Sequence, residues 1–120
     1  MKKARLLVVD DEENIRFLFK EELEEEGYSV DVASNGLEAL DKIKQAVFDL
    51  VILDIKMPGM NGIEALNEIK NMNKSLPVIL CSAYGEFKQD FSSWASDGYV
   101  VKSADTKELK QTIKNLLGLA

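Results

Sequence analysis

Residues 6–14 read LLVVDDEEN, an apolar run that turns fully acidic in one step. Adjacent carboxylates after a buried run repel one another and resist desolvation, so Asp10 and Asp11 need a physical reason to be there. The run itself is short, Val-rich and continuously apolar, as strands buried on both faces are. Further runs of that character lie at residues 50–53, 78–81 and 99–101. YSVDV at residues 28–32 alternates instead, which predicts a strand with one wetter face at a sheet edge.

Helical patterns separate the runs. Residues 12–26 place Ile15, Leu18, Phe19 and Leu23 on one stripe, with Gly27 as a C-terminal stop. Residues 35–45 carry Leu37, Leu40 and Ile43, and residues 62–71 carry Ile63, Leu66 and Ile69. Residues 106–117 carry Leu109, Ile113, Leu116 and Leu117. The pattern over 86–96 is weaker because Ser92 and Ser93 suit a helix interior poorly. There Phe87, Phe91 and Trp94 keep helical spacing and read as core packing. Strands alternating with helices predict an α/β fold of three layers, a five-stranded parallel sheet covered on both faces. The edge-like second strand favours the flavodoxin-like order 2-1-3-4-5, with a short or irregular fourth helix.

Composition narrows the chemistry. A chain of 120 residues, 46% hydrophobic and 30% charged, suits a single folded domain. The formal charge of −6 disfavours nucleic-acid binding by bulk charge, and the absence of histidine removes His ligation and Ser-His-Asp chemistry. Cys81 stands alone, so it reads as a small core residue. No apolar stretch approaches the ~20 residues that span a bilayer, so a cytoplasmic protein without membrane association is expected. Lys107, Lys110 and Lys114 lie on the last helix and no DNA-binding segment follows. One domain over residues 1–120, without an output domain, is therefore the expectation.

In such sheets ligands bind beyond the carboxyl ends of the strands, where the winding reverses. At that edge the runs hand over to Asp10 and Asp11, Asp54, Ser82 and Lys102. Each has a bland alternative: an Asp after a strand is often a turn or cap, and Ser or Lys there is ordinary. Their joint placement at four strand ends is not explained that way. Clustered carboxylates raise one another's pKa unless a cation intervenes, and an all-oxygen set suits a hard ion such as Mg²⁺. A carboxylate beside a metal and a lysine is placed to attack phosphorus, because both cations neutralise phosphoryl oxygens. Asp54, on the central strand, is the best nucleophile, and Ser82 could hydrogen-bond a phosphoryl oxygen.

The segments LLVVDDEENIR, NGLEAL, DLVILDIKMPGMNGIEAL, ILCSAYG and GYVVKS together closely resemble the receiver domains of two-component response regulators, over essentially the whole chain. The resemblance implies phosphoryl transfer from a sensor histidine kinase or phosphotransferase histidine onto Asp54, with Mg²⁺ (or Mn²⁺) required. It implies Asp11 and Asp54 as direct metal ligands, the backbone carbonyl of Lys56 as a third, and Asp10 acting through water. Ser82 and Lys102 would hold the phosphoryl group, and Tyr99 resembles the aromatic switch coupled to Ser82. Lys56 and Tyr84 occupy positions that tune dephosphorylation. Such a domain catalyses its own phosphorylation and dephosphorylation rather than acting as a conventional enzyme. It signals to a downstream protein, here unknown, as a monomer or weak phosphorylation-dependent dimer. The family's Pro after the lysine is Ser103 here, which predicts a trans or strained Lys102–Ser103 bond, since cis before a non-proline costs roughly 2.5–4 kcal/mol.

Other readings compete. A haloacid-dehalogenase-type phosphatase would want a second Asp two residues after the nucleophile, where Lys56 stands. A flavin binder wants Ser, Thr and Gly amides after the first strand, and DDEEN would repel its phosphate. A receiver module cut from a larger regulator, or a degenerate receiver used only for binding, completes the set.

Overall fold

The computed structural model describes residues 3–83 and 96–119. Its strands are β1 (Arg5–Val9), β2 (Ser29–Ala33), β3 (Leu50–Asp54), β4 (Val78–Ser82) and β5 (Gly98–Val101). The helices are α1 (Glu13–Glu25), α2 (Gly36–Gln45), α3 (Gly62–Met72) and α4 (Lys107–Leu117). The strands form one parallel sheet in the order β2-β1-β3-β4-β5, as the sequence predicts. The weak helical pattern over 86–96 lies almost wholly outside the described residues, as does Tyr84.

Alternation along the strands divides the interior into two cores. Leu7, Val9, Val51, Leu53, Val78 and Leu80 pack with Ala39, Leu40, Ala65, Leu66 and Ile69 of α2 and α3. Leu6, Val8, Leu50, Ile52, Ile79 and Val100 face the other way, onto Phe19, Leu23, Leu109 and Ile113 of α1 and α4. Each fully buried Leu or Ile contributes roughly 1.5–3 kcal/mol, so sheet position and helix position reinforce each other.

Two expectations need correction. The run at 99–101 is not buried on both faces: β5 is an edge strand and Val101 is 40% exposed. Leu37 fits the helical spacing of α2 but is exposed; Gly36, Ala39 and Leu40 are the residues α2 buries.

Helix starts are set locally. Asn61 caps α3 by accepting from Ile63 N and Glu64 N at 2.9 and 3.0 Å, while Glu64 accepts from Asn61 N at 3.1 Å, completing a capping box. Asn35 caps α2 by accepting from Glu38 N at 2.8 Å. Neither Asp10 nor Asp11 caps α1; the cap residue is Glu12, whose side chain makes no capping bond. No cis peptide occurs among the described residues, so Lys102–Ser103 is trans.

Candidate functional site

Register brings the polar residues together. Val9 pairs with Leu53, so Asp10 emerges from β1 beside Asp54. Asp54 pairs with Cys81, which puts Ser82 one residue further along, and Ser82 pairs with Val101, which brings Lys102 to the same edge. Lys102 N donates to Ser82 O at 2.6 Å, continuing the ladder past the end of β5. Asp54 and Ser82 are the last residues of their strands rather than loop residues, which fixes their backbones within the sheet.

Parity sorts the side chains. Asp10, Asp54 and Lys102 continue the alternation of Val8, Ile52 and Val100, on the side of α1 and α4. Ser82 and Tyr99 share the opposite parity, and Tyr99 is half-buried against the core under α2 and α3.

The lysine is the hub. Its Nζ stands 2.8 Å from Asp10 Oδ2, 3.4 Å from Asp54 Oδ1 and 3.5 Å from Glu12 Oε1. Asp10, Asp54 and Ser82 are buried, whereas Asp11, Glu12 and Lys56 are exposed. Asp10 Oδ1 also accepts from Glu12 N at 2.9 Å, and its carbonyl accepts from Arg16 at 2.7 Å, anchoring the turn into α1. Asp11 lines an open cleft with Ser34, Leu37, Pro58 and Met60, which gives solutes a way to the edge of the site.

Electrostatics follow from this crowding. Burial pushes the Asp54 carboxyl up to about 6; repulsion from Asp10 and Asp11 adds to it, and Lys102 offsets part. Burial also raises Asp10, against the lowering influence of Lys102 and the Glu12 amide. For Lys102, burial favours the neutral amine, yet the hydrogen bond to Asp10 and the charges of Asp10, Asp54 and Glu12 outweigh it and hold the group above the ordinary lysine value. It is therefore a fixed ammonium at neutral pH.

Carboxylate oxygens of Asp10, Asp11 and Glu12 lie within 4.8 Å of one another, close enough to hold an ion together. Asp54 stands outside that trio and is joined to it through Lys102. The donor chemistry, carboxylate oxygens with no nitrogen or sulfur among them, fits a divalent oxygen-seeking cation. Glu12 is the residue that sequence reasoning missed. An acid at a helix start resembles any dipole-favouring residue, and only the fold reveals Lys102 beside it.

The loop after β3 carries two glycines with different duties. Gly59 has φ +76°, the left-handed conformation that the turn requires. Gly62 lacks a positive φ; a Cβ there would lie 2.1 Å from Asp54 O, so its smallness lets α3 approach the end of β3.

The sequence pattern of the family described as response regulator receiver domain matches residues 6–114. The chain belongs to that family. It is 38% identical to sporulation initiation phosphotransferase F of Bacillus subtilis, over 99% of this chain and 98% of that protein. It is 41% identical to the transcriptional regulatory protein ResD of the same organism, over 96% of this chain but 48% of ResD, and so spans about half of that relative. Among solved structures, the response regulator TrrA of Thermotoga maritima, in complex with Mg²⁺-BeF, is 55% identical with a TM-score of 0.90, covering 94% of this chain and 98% of that one. A structure of TrrA with the histidine kinase ThkA matches at 55% identity and a TM-score of 0.88, covering 95% of this chain and 98% of that one. This chain is thus a receiver domain of the two-component type. No helix among its described residues is long and apolar enough to cross a membrane.

Proposed function

We propose that Asp54 accepts a phosphoryl group from a phosphohistidine of a sensor histidine kinase or phosphotransferase domain, in a Mg²⁺-dependent reaction. One observation carries the reading: a buried carboxylate at the end of the central strand, with the Lys102 ammonium 3.4 Å from its oxygen. An Asp54 carboxylate oxygen attacks phosphorus as the phosphorus–nitrogen bond breaks, and the electron pair leaves with the donor imidazole. Lys102 is placed to stabilise charge on the phosphoryl oxygens, and Ser82 to hydrogen-bond one of them. Asp11, Asp54 and the Lys56 carbonyl would hold Mg²⁺, with Asp10 acting through water; the ion supplies further charge neutralisation. Complexes of TrrA with a kinase and with Mg²⁺-BeF support the partner and the metal by similarity.

Phosphorylation adds roughly two negative charges at an already acidic edge, so its effect must be read by Lys102 and Ser82. Tyr99 shares Ser82's face of the sheet and is positioned to pass the change to a protein partner. Lys56, exposed beside β3, and Tyr84 are assigned to screening attacking water during dephosphorylation. The chain's own side chains thus govern both capture and loss of the phosphoryl group, and a cytoplasmic location follows from such a partner.

The test is intact mass after treatment with a small acyl phosphate, with Mg²⁺ or with chelator. The expected result is one added phosphoryl group on the wild type with Mg²⁺ and none on Asp54→Asn. An unmodified wild type, or a modified Asn variant, would overturn the assignment.

A further inference from the structure

We infer that Glu12 is a positioning residue that competes with Asp54 for the Lys102 ammonium in the resting protein and so opposes the phosphorylated arrangement. The inference rests on the phosphoacceptor reading of Asp54. Lys102 is nearly enclosed, its side chain 9% exposed, and it divides its contacts among Asp10, Asp54 and Glu12. The first two are buried acids on the same sheet face, whereas Glu12 is 63% exposed and reaches in from the cap position of α1. It makes no side-chain capping bond there, and its carboxylate faces Lys102 at 3.5 Å.

A phosphoryl group on Asp54 presents new anionic oxygens to the same ammonium. The ammonium has three N–H donors, already shared among three carboxylates, so new phosphoryl oxygens compete first with its longest and most exposed contact, Glu12. Glu12 therefore stabilises the unphosphorylated arrangement selectively. Removing its reach should favour any phosphoryl-like anion at Asp54, by the magnitude of one half-exposed ion pair, about 2- to 5-fold in affinity.

Beryllofluoride, a phosphoryl mimic, provides a readout without turnover. Its affinity at saturating Mg²⁺ is measured by calorimetry for wild type, Glu12→Gln, Glu12→Asp and Glu13→Gln. Glu13, exposed on α1, controls for loss of a nearby charge. Glu12→Asp keeps the charge but shortens a side chain whose contact is already 3.5 Å. The expected result is about 2- to 5-fold tighter binding for both Glu12 variants relative to Glu13→Gln, persisting at 0.5 M salt, where diffuse repulsion is screened within ~5 Å. Equal affinity of Glu12→Gln and Glu13→Gln, or weaker binding, would overturn the inference. So would a Glu12→Asp variant that behaves as wild type, because charge alone would then suffice. If the wild type bound no beryllofluoride, the phosphoacceptor reading would fall as well; wild-type binding with unchanged variants sinks this inference alone.

Discussion

Replacing Asp54 with Asn should stabilise the metal-free protein, and the gain should depend on pH in a defined way. The Asp54 carboxyl is pushed from the usual 3.8 up to about 6, by burial first and then by Asp10 and Asp11. A carboxyl raised on folding stabilises the fold when protonated: its contribution is complete below about 3.8 and is lost as pH rises through about 6. Above that point the folded chain carries a buried charge that the unfolded chain would carry more cheaply. At about 1.36 kcal/mol per pH unit the interval is equivalent to about 3 kcal/mol. Asp10 shares the repulsion and relaxes when Asp54 is neutralised, so a gain of about 1–3 kcal/mol is expected in Asp54→Asn. The assay is urea denaturation in chelator from pH 4 to 8, a range in which no histidine of this chain titrates. With a slope of about 1–3 kcal/mol per molar urea, the midpoint should rise by about 1 M above pH 6 and converge with wild type near pH 4. Adding Mg²⁺ should then raise the wild type by mass action while the Asn variant responds less. A variant no more stable than wild type at pH 7 would refute the reasoning, as would a gain that does not change with pH.

The loop after β3 gives two further expectations. Gly62→Ala puts a Cβ 2.1 Å from Asp54 O, a backbone atom that cannot rotate aside, so a loss of about 3 kcal/mol or more is expected by denaturation. Where the variant still folds, phosphorylation by a small acyl phosphate should slow, because α3 must shift away from Asp54. Asn61→Ala removes one side of the capping box and should cost about 1 kcal/mol, read as a lower urea midpoint with an unchanged slope.

Much of this fold is legible in the sequence because burial on both faces leaves no freedom. Leu50 to Leu53 face two helix layers in turn, so every residue must be apolar, and the run shows itself without alternation. The same signal misleads at β5. An edge strand flanked by loops can carry Val101 at 40% exposure, and three apolar residues do not record which side a neighbouring strand occupies. Leu37 fails similarly: periodicity assigns a helical residue to a stripe, while the width of the buried stripe depends on how closely α2 approaches the sheet. The tether at the opposite edge was invisible altogether. Asp97 accepts from both Lys70 Nζ, at 2.7 Å, and Val78 N, at 2.8 Å, and the sequence offers no periodic sign of such a meeting.

The site was more legible than the packing around it because parallel register converts sequence position into spatial position. Once β1, β3, β4 and β5 are aligned in parallel, the residues at their carboxyl ends must meet, whatever the intervening loops do. Parity then adds a distinction that residue types alone do not carry. Asp10, Asp54 and Lys102 share one face of the sheet, where burial raises the two carboxyls while their charges hold Lys102 protonated. Ser82 and Tyr99 share the other, against the core beneath α2 and α3. A one-residue slip of β5 against β4 would exchange those faces, carrying Lys102 away from Asp54 and Tyr99 away from Ser82 in the same step. The residues proposed to hold the phosphoryl group and those proposed to report it are therefore constrained by a single pairing register, Leu80 with Tyr99 and Ser82 with Val101.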